Sequence, residues 1–145
     1  MTEVAFHFNA PDRLEYACRL LRKAVATDAR VVVTAEGPLL AELDSLLWTF
    51  SALEFITHGR AGVAPDSLLA KSQVVLAESA ATAPHHEVLL NLGPGVPQGF
   101  EQFERLIEVV TEEPSNRQQA RERWRHYAER GYAIVRHDLA GREAR

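Results

Sequence analysis

The chain has 145 residues, 46% of them apolar and 25% charged, with a formal net charge of −4 at neutral pH. That length and balance describe one ordinary globular domain and exclude a chain disordered throughout. Its single cysteine, Cys18, excludes a scaffold stapled by internal disulfides, and no apolar run approaches the ~20 residues that span a bilayer. The opening segment has neither the basic start nor the apolar middle of an export signal, so a cytoplasmic location without a membrane partner is the expectation.

In chain order, VAFHF at 4–8 alternates β-formers and reads as a strand. Asn9-Ala10-Pro11-Asp12 then supplies helix-start chemistry. Leu14, Ala17, Cys18, Leu21 and Val25 follow at three- and four-residue steps, one apolar face of an amphipathic helix. RVVVTA at 30–35 is a short run of β-branched residues, the mark of a strand buried on both faces. Gly37-Pro38 punctuates, and LLAELDSLLWTF reads as a second helix ending near Trp48. A short strand or extended turn is expected within ALEFITHGRAGVAP, then strands in SQVVLAES (72–79) and EVLLNLG (87–93). Pro94-Gly95-Val96-Pro97 breaks the chain before a short helix near 98–103, and LIEVV (106–110) is a further strand. The last helix opens at Glu112-Glu113-Pro114 and runs to about Arg130, with Gly131 as its C-terminal stop and YAIVRHDL (132–139) as the closing strand. Strands alternating with helices predict an α/β fold: a single three-layer, Rossmann-like domain over 1–139, with a mostly parallel central sheet flanked by helices. Residues 140–145 are expected to be a frayed tail.

The residues offer little chemistry of the enzymatic kind. The Gly93-Pro94-Gly95 loop follows a strand, as a phosphate cradle would, but its prolines remove the N–H donors that a cradle needs. It reads as a tight turn. His85 and His86 are adjacent and would point to opposite faces of a strand, and the other histidines lack ligand spacing, so no metal is expected. Glu42/Asp44 and Glu112/Glu113 do not share a helix face, and no nucleophile motif is present. No catalytic residue and no cofactor is expected.

Two features stand out. Residues 1–115 carry eight basic and sixteen acidic side chains, a balance of −8, whereas 116–145 carry eight arginines and four acids, a balance of +4. Within the basic stretch, Arg117, Arg121, Trp124 and Ala128 form one helical stripe, with Ala120, Trp124 and Tyr127 expected to face the sheet. Guanidinium forks beside an aromatic wall suit a carboxylate carried on an apolar group. The plain alternative is a solvated charged helix whose Trp and Tyr pack inward. The second feature is LLWTF (46–50) with EFITH (54–58), either core or an exposed apolar patch for a protein partner.

At these features the sequence resembles the chi subunit family of the bacterial DNA polymerase III holoenzyme. The resemblance is carried by LDSLLWTF (43–50), FITH (55–58) and ARERWRHY (120–127), with Gly131-Tyr132 in register. It implies a non-catalytic accessory subunit of the clamp-loader assembly, with two partners. One is the acidic C-terminal tail of single-stranded-DNA-binding protein, which ends in a phenylalanine carboxylate and gives an indirect association with single-stranded DNA. The other is the psi subunit, which links chi to the clamp loader. Carried over, the tail site falls on Arg117, Arg121 and Trp124, flanked by Gly131 and Arg136, and the psi-facing surface on Trp48, Phe55 and His58. Two other readings stand beside it: a nucleotide-binding α/β protein or enzyme, and a direct DNA-binding module whose acidic remainder would repel phosphate.

Overall fold

The computed structural model describes residues 1–49, 58–61 and 72–140. The order is β1 (Glu3–Ala10), α1 (Arg13–Ala26), β2 (Val31–Thr34), α2 (Gly37–Thr49), β3 (His58–Arg60), β4 (Val74–Ala77), β5 (Val88–Asn91), β6 (Arg105–Thr111), α3 (Pro114–Glu129) and β7 (Ile134–Asp138). The seven strands pair in the order β3-β4-β2-β5-β6-β1-β7, every pairing parallel. Parallel pairing needs covered crossovers, so both faces of the sheet carry helices. Alternate strand residues accordingly enter two cores. Val31, Val33, Val74, Leu76 and Leu90 meet α1 and α2, whereas Val4, Phe6, Val32, Val75, Leu89 and Leu106 meet α3 and the 100–103 turn. No helix among the described residues is long and apolar enough to cross a membrane.

Local chemistry sets the element ends. Asp12, not Asn9, caps α1, its carboxylate accepting from the Glu15 N–H at 3.0 Å. Gly37 and Pro38 form the first turn of α2 instead of preceding it, because proline fits where no backbone donor is required. The helix expected near 98–103 is a three-residue 3-10 turn, Phe100–Gln102, entered through Gly99 at φ 86. A Cβ at Gly99 would lie 2.9 Å from the Ala81 Cα, so both conformation and space require glycine. At the end of α3, Gly131 adopts φ 79 and Tyr132 N–H bonds back to the Tyr127 carbonyl, a Schellman closure. β7 spans 134–138, shorter than the expected 132–139, because Tyr132 is used in that closure. Of the expected tail, Ala140 continues a turn after Leu139, and 141–145 lie outside the described residues.

A buried polar cluster docks α3 on the sheet. Glu108 of β6 is fully buried, and the Arg123 guanidinium, 2% exposed, sits against it with Nε 3.0 Å from Oε1. Tyr127 donates to Glu108 Oε2 at 2.6 Å, and Asn91 Nδ2 donates to Oε1 at 2.9 Å. Arg123 also donates to the Pro94 carbonyl at 2.8 Å, and Asn91 to that of Gly95 at 3.0 Å. The same cluster therefore ties down the Gly93–Gly95 turn. Burial pushes the Glu108 carboxyl up, and the Arg123 charge with the Tyr127 and Asn91 donors pulls against it. Burial and the neighbouring carboxylate push the Tyr127 phenol far above its usual range, so it remains a donor. Arg123 thus corrects the picture of a helix whose charges are all solvated: it occupies the sheet-facing position between Ala120 and Tyr127.

Two expectations follow. Arg123→Met leaves the Glu108 carboxylate buried without its counter-charge and should cost about 3–5 kcal/mol in urea denaturation. The double variant with Glu108→Leu should recover most of that loss, and equal stability of the parent and the single variant would show that the pair is not what docks α3. Cys18 is 1% exposed, and burial, with Asp12 and Glu15 nearby, pushes its thiol up to about 11. It should react with thiol reagents at pH 8 only as fast as the chain unfolds; rapid stoichiometric labelling would show that α1 opens on its own.

Candidate functional site: an arginine-lined groove beside α3

α3 leaves β6 and returns to the sheet at β7, with β1 lying between those two strands. Where the helix passes over β1, the facing residues of β1 and β7 form a floor and α3 forms a wall. The resulting groove of about 900 Å³ is lined by Phe6, Phe8 and Asn9 from β1, by Arg136 from β7, and along α3 by Arg117, Arg121, Trp124, Arg125 and Glu129. Strand alternation places Phe6 and Phe8 on one face, and the parallel register sets Phe6 beside Arg136 and Phe8 beside Asp138.

Trp124, Arg136, Arg117 and Arg121 are each held by a neighbour. Trp124 is half-buried, its ring centroid 4.9 Å from that of Phe6. The Arg136 guanidinium carbon lies 5.1 Å from the Phe8 ring centre and 5.8 Å from that of Trp124, between two π faces. Arg117 Nη2 donates to Asn9 Oδ1 at 2.7 Å, and Arg121 Nη1 donates to Gln118 Oε1 at 3.2 Å. Four guanidinium groups and one carboxylate around an aromatic floor make the groove cationic and partly apolar. Such a surface can pair planar forks with carboxylates while covering a ring or an aliphatic side chain.

The neighbouring cleft, on the other side of the start of α3, has a different character. A cleft of about 650 Å³ at the carboxyl ends of the strands, where α/β folds commonly bind nucleotides, is rimmed by Asp12, Glu36, Glu42, Glu112 and Glu113. Its arginine, Arg13, donates to the Leu92 carbonyl at 3.1 Å. The Gly93–Gly95 turn points carbonyls at Arg123 and Asn91, so it works as a structural bend. A phosphate would meet carboxylates there.

The sequence-derived positions are distributed as follows. Arg117, Arg121, Trp124 and Arg136 converge on the groove. Gly131 is not among the residues that line it; it closes α3 in the left-handed conformation, and a Cβ there would meet nothing within 4 Å. Trp48 is 58% exposed near the end of α2, and His58 begins the three-residue strand β3. Phe55 lies outside the described residues, so the expected Trp48–Phe55–His58 surface is described only in part. Sequence reasoning passed over Phe8, Asn9 and Arg125. Phe8 reads as an ordinary β-former, and Arg125 becomes a lining residue only once α3 is rotationally fixed. Asn9 had a signal: asparagine at a strand end is a common left-handed residue.

Against this geometry stand the similarities to known proteins. Residues 1–135 match the family described as DNA polymerase III chi subunit, HolC. The chain belongs to that family. The DNA polymerase III subunit chi of Pseudomonas aeruginosa is 35% identical over 144 residues, covering 96% of this chain and 98% of that protein. The chi family match ends at residue 135, one position before Arg136, whereas it includes Arg117, Arg121 and Trp124. As members of a polymerase III subunit family, these residues belong to a replication protein associated with the polymerase III holoenzyme.

Proposed function

We propose that this chain is a non-catalytic accessory subunit whose groove binds the acidic C-terminal tail of single-stranded-DNA-binding protein, coupling the polymerase to coated template in the bacterial cytoplasm. The observation that carries the reading is the convergence of Arg117, Arg121 and Arg136 with Trp124 and Phe8 in one groove. A terminal phenylalanine has the complementary chemistry: one α-carboxylate for a guanidinium fork and one ring for the aromatic floor. Aspartates upstream of it meet the remaining cations, Arg125 included. The exposed Trp48 at the end of α2, well separated in sequence from the groove, is the proposed contact to psi where that subunit exists.

The acidic rim at the carboxyl edge of the sheet supports the reading over a nucleotide-binding one, since five carboxylates there oppose a phosphate. The acidic balance of residues 1–115 argues likewise against direct binding to bare DNA.

Titration of the purified chain with a labelled tail peptide, and with the same peptide lacking its final phenylalanine, tests the proposal. The first should bind and the second should not. A charge-assisted hydrogen bond contributes about 1.5–3 kcal/mol, so Arg121→Ala should weaken binding roughly tenfold or more. Rising salt should weaken the contacts to the upstream acids. Equal affinity for both peptides would remove the terminal carboxylate from the site. Tight binding of a bare oligonucleotide with a steep salt slope would favour the direct DNA-binding reading instead.

A further inference from the structure

Asn9 is conspicuous in the groove for three independent reasons. It lies where the register of β1 against β6 shifts, between His7 and Ala10, and its φ is 64, the left-handed region that few non-glycine residues occupy. Both ends of its amide are engaged across the groove mouth. Oδ1 accepts from Arg117 Nη2 at 2.7 Å, and Nδ2 donates to Asp138 Oδ1 at 2.8 Å. Asp138 is itself fixed, the same Oδ1 accepting the Ala140 N–H at 3.0 Å. An amide is the side chain that can face a guanidinium with its oxygen and a carboxylate with its nitrogen at once.

We infer that Asn9 is a positioning residue for the groove, a neutral spacer that orients Arg117 while keeping the Asp138 carboxylate from pairing with it directly. This rests on the tail-binding reading of the same groove and assigns a role to a residue outside the arginine-tryptophan stripe. The physical logic has two parts. A free arginine loses rotamer entropy when it clamps a ligand, and a fork already held at one edge loses less. A direct Asp138–Arg117 ion pair would also neutralise the charge that an incoming carboxylate needs, whereas the amide passes orientation without charge. The left-handed backbone at the bulge is what lets the side chain reach both elements, a local strain retained at a functional surface.

The test uses the full chain and an acidic peptide ending in phenylalanine with a free α-carboxylate. Asn9→Gly keeps the left-handed backbone and removes the spacer; Asn9→Asp keeps the shape and places a carboxylate on Arg117. Binding should weaken about three- to tenfold for Asn9→Gly and by more for Asn9→Asp, as expected for losing a fixed, charge-assisted contact. In an Arg117→Ala background, Asn9→Gly should cause little further loss, since both changes act through one guanidinium. Thermal unfolding of each variant separates misfolding from loss of binding. Free of any ligand, nitrogen relaxation of the Arg117 Nε–H should report an ordered side chain in the parent and an averaged one in Asn9→Gly. If Arg117→Ala weakens binding while Asn9→Gly leaves both affinity and Arg117 order unchanged, the positioning role is overturned and the tail site stands. If the parent chain does not bind the peptide, the tail reading fails. The relaxation data then decide whether Asn9 orders Arg117, and an Arg117 equally mobile with and without Asn9 overturns the spacer as well.

Discussion

A carboxylate with no exposure to water, Glu108, sits in the middle of a parallel sheet, beside a core built mainly from Val, Leu, Phe and Ala. Such a group is costly unless it is paired and hydrogen-bonded, and here its partners come from two directions. Arg123 and Tyr127 reach it from α3, and Asn91 reaches it from the neighbouring strand β5. The cluster therefore fixes the helix in rotation and along its axis, which apolar contact alone specifies weakly. Arg121, Trp124 and Arg125 occupy neighbouring positions on that helix. Their presentation to the groove depends on where Arg123 is held.

The topology makes that fixed helix one wall of a groove. Because α3 links β6 to β7 across β1, the edge strand β7 extends the sheet beyond the helix and leaves Phe8 and Arg136 as an open floor. A strand order with β7 next to β6 would have placed the helix elsewhere and closed no such groove. The guanidinium of Arg136 lies between the Phe8 and Trp124 rings, so part of the aromatic floor already carries a cation. The charge is thereby placed by stacking, and among the described residues no direct ion pair cancels it.

Two neighbouring concavities around the start of α3 divide the charge between them. Carboxylates rim the cleft at the carboxyl ends of the strands, near the starts of α1, α2 and α3, where helix dipoles favour negative charge. The arginines lie along the flank of α3. The cleft that α/β folds commonly use would thus oppose an acidic ligand, and the arginine-lined groove would favour one. The same scaffold that elsewhere binds nucleotides here presents a peptide-sized cationic surface.

By itself the sequence determined the alternation of strands and helices, because β-branched runs such as VVVT and the three-four spacing of Leu14, Cys18 and Leu21 act over a few residues. It also determined the Arg117–Arg121–Trp124 stripe, since helical periodicity alone places those side chains together. Element ends were less legible: Gly37-Pro38 can precede a helix or open it, and in the fold it opens α2, its Gly37 N–H meeting the Glu78 carboxylate 41 residues away. The tertiary structure alone decided that Arg123 is buried and its neighbours are not, because that follows from Glu108 on a different element. It alone brought Asn9 to Arg117, 108 residues apart, and set Arg136 between Phe8 and Trp124. Local propensity fixes what a segment becomes. Which segments meet is settled by long-range pairing of strands and by where a buried charge finds its partner.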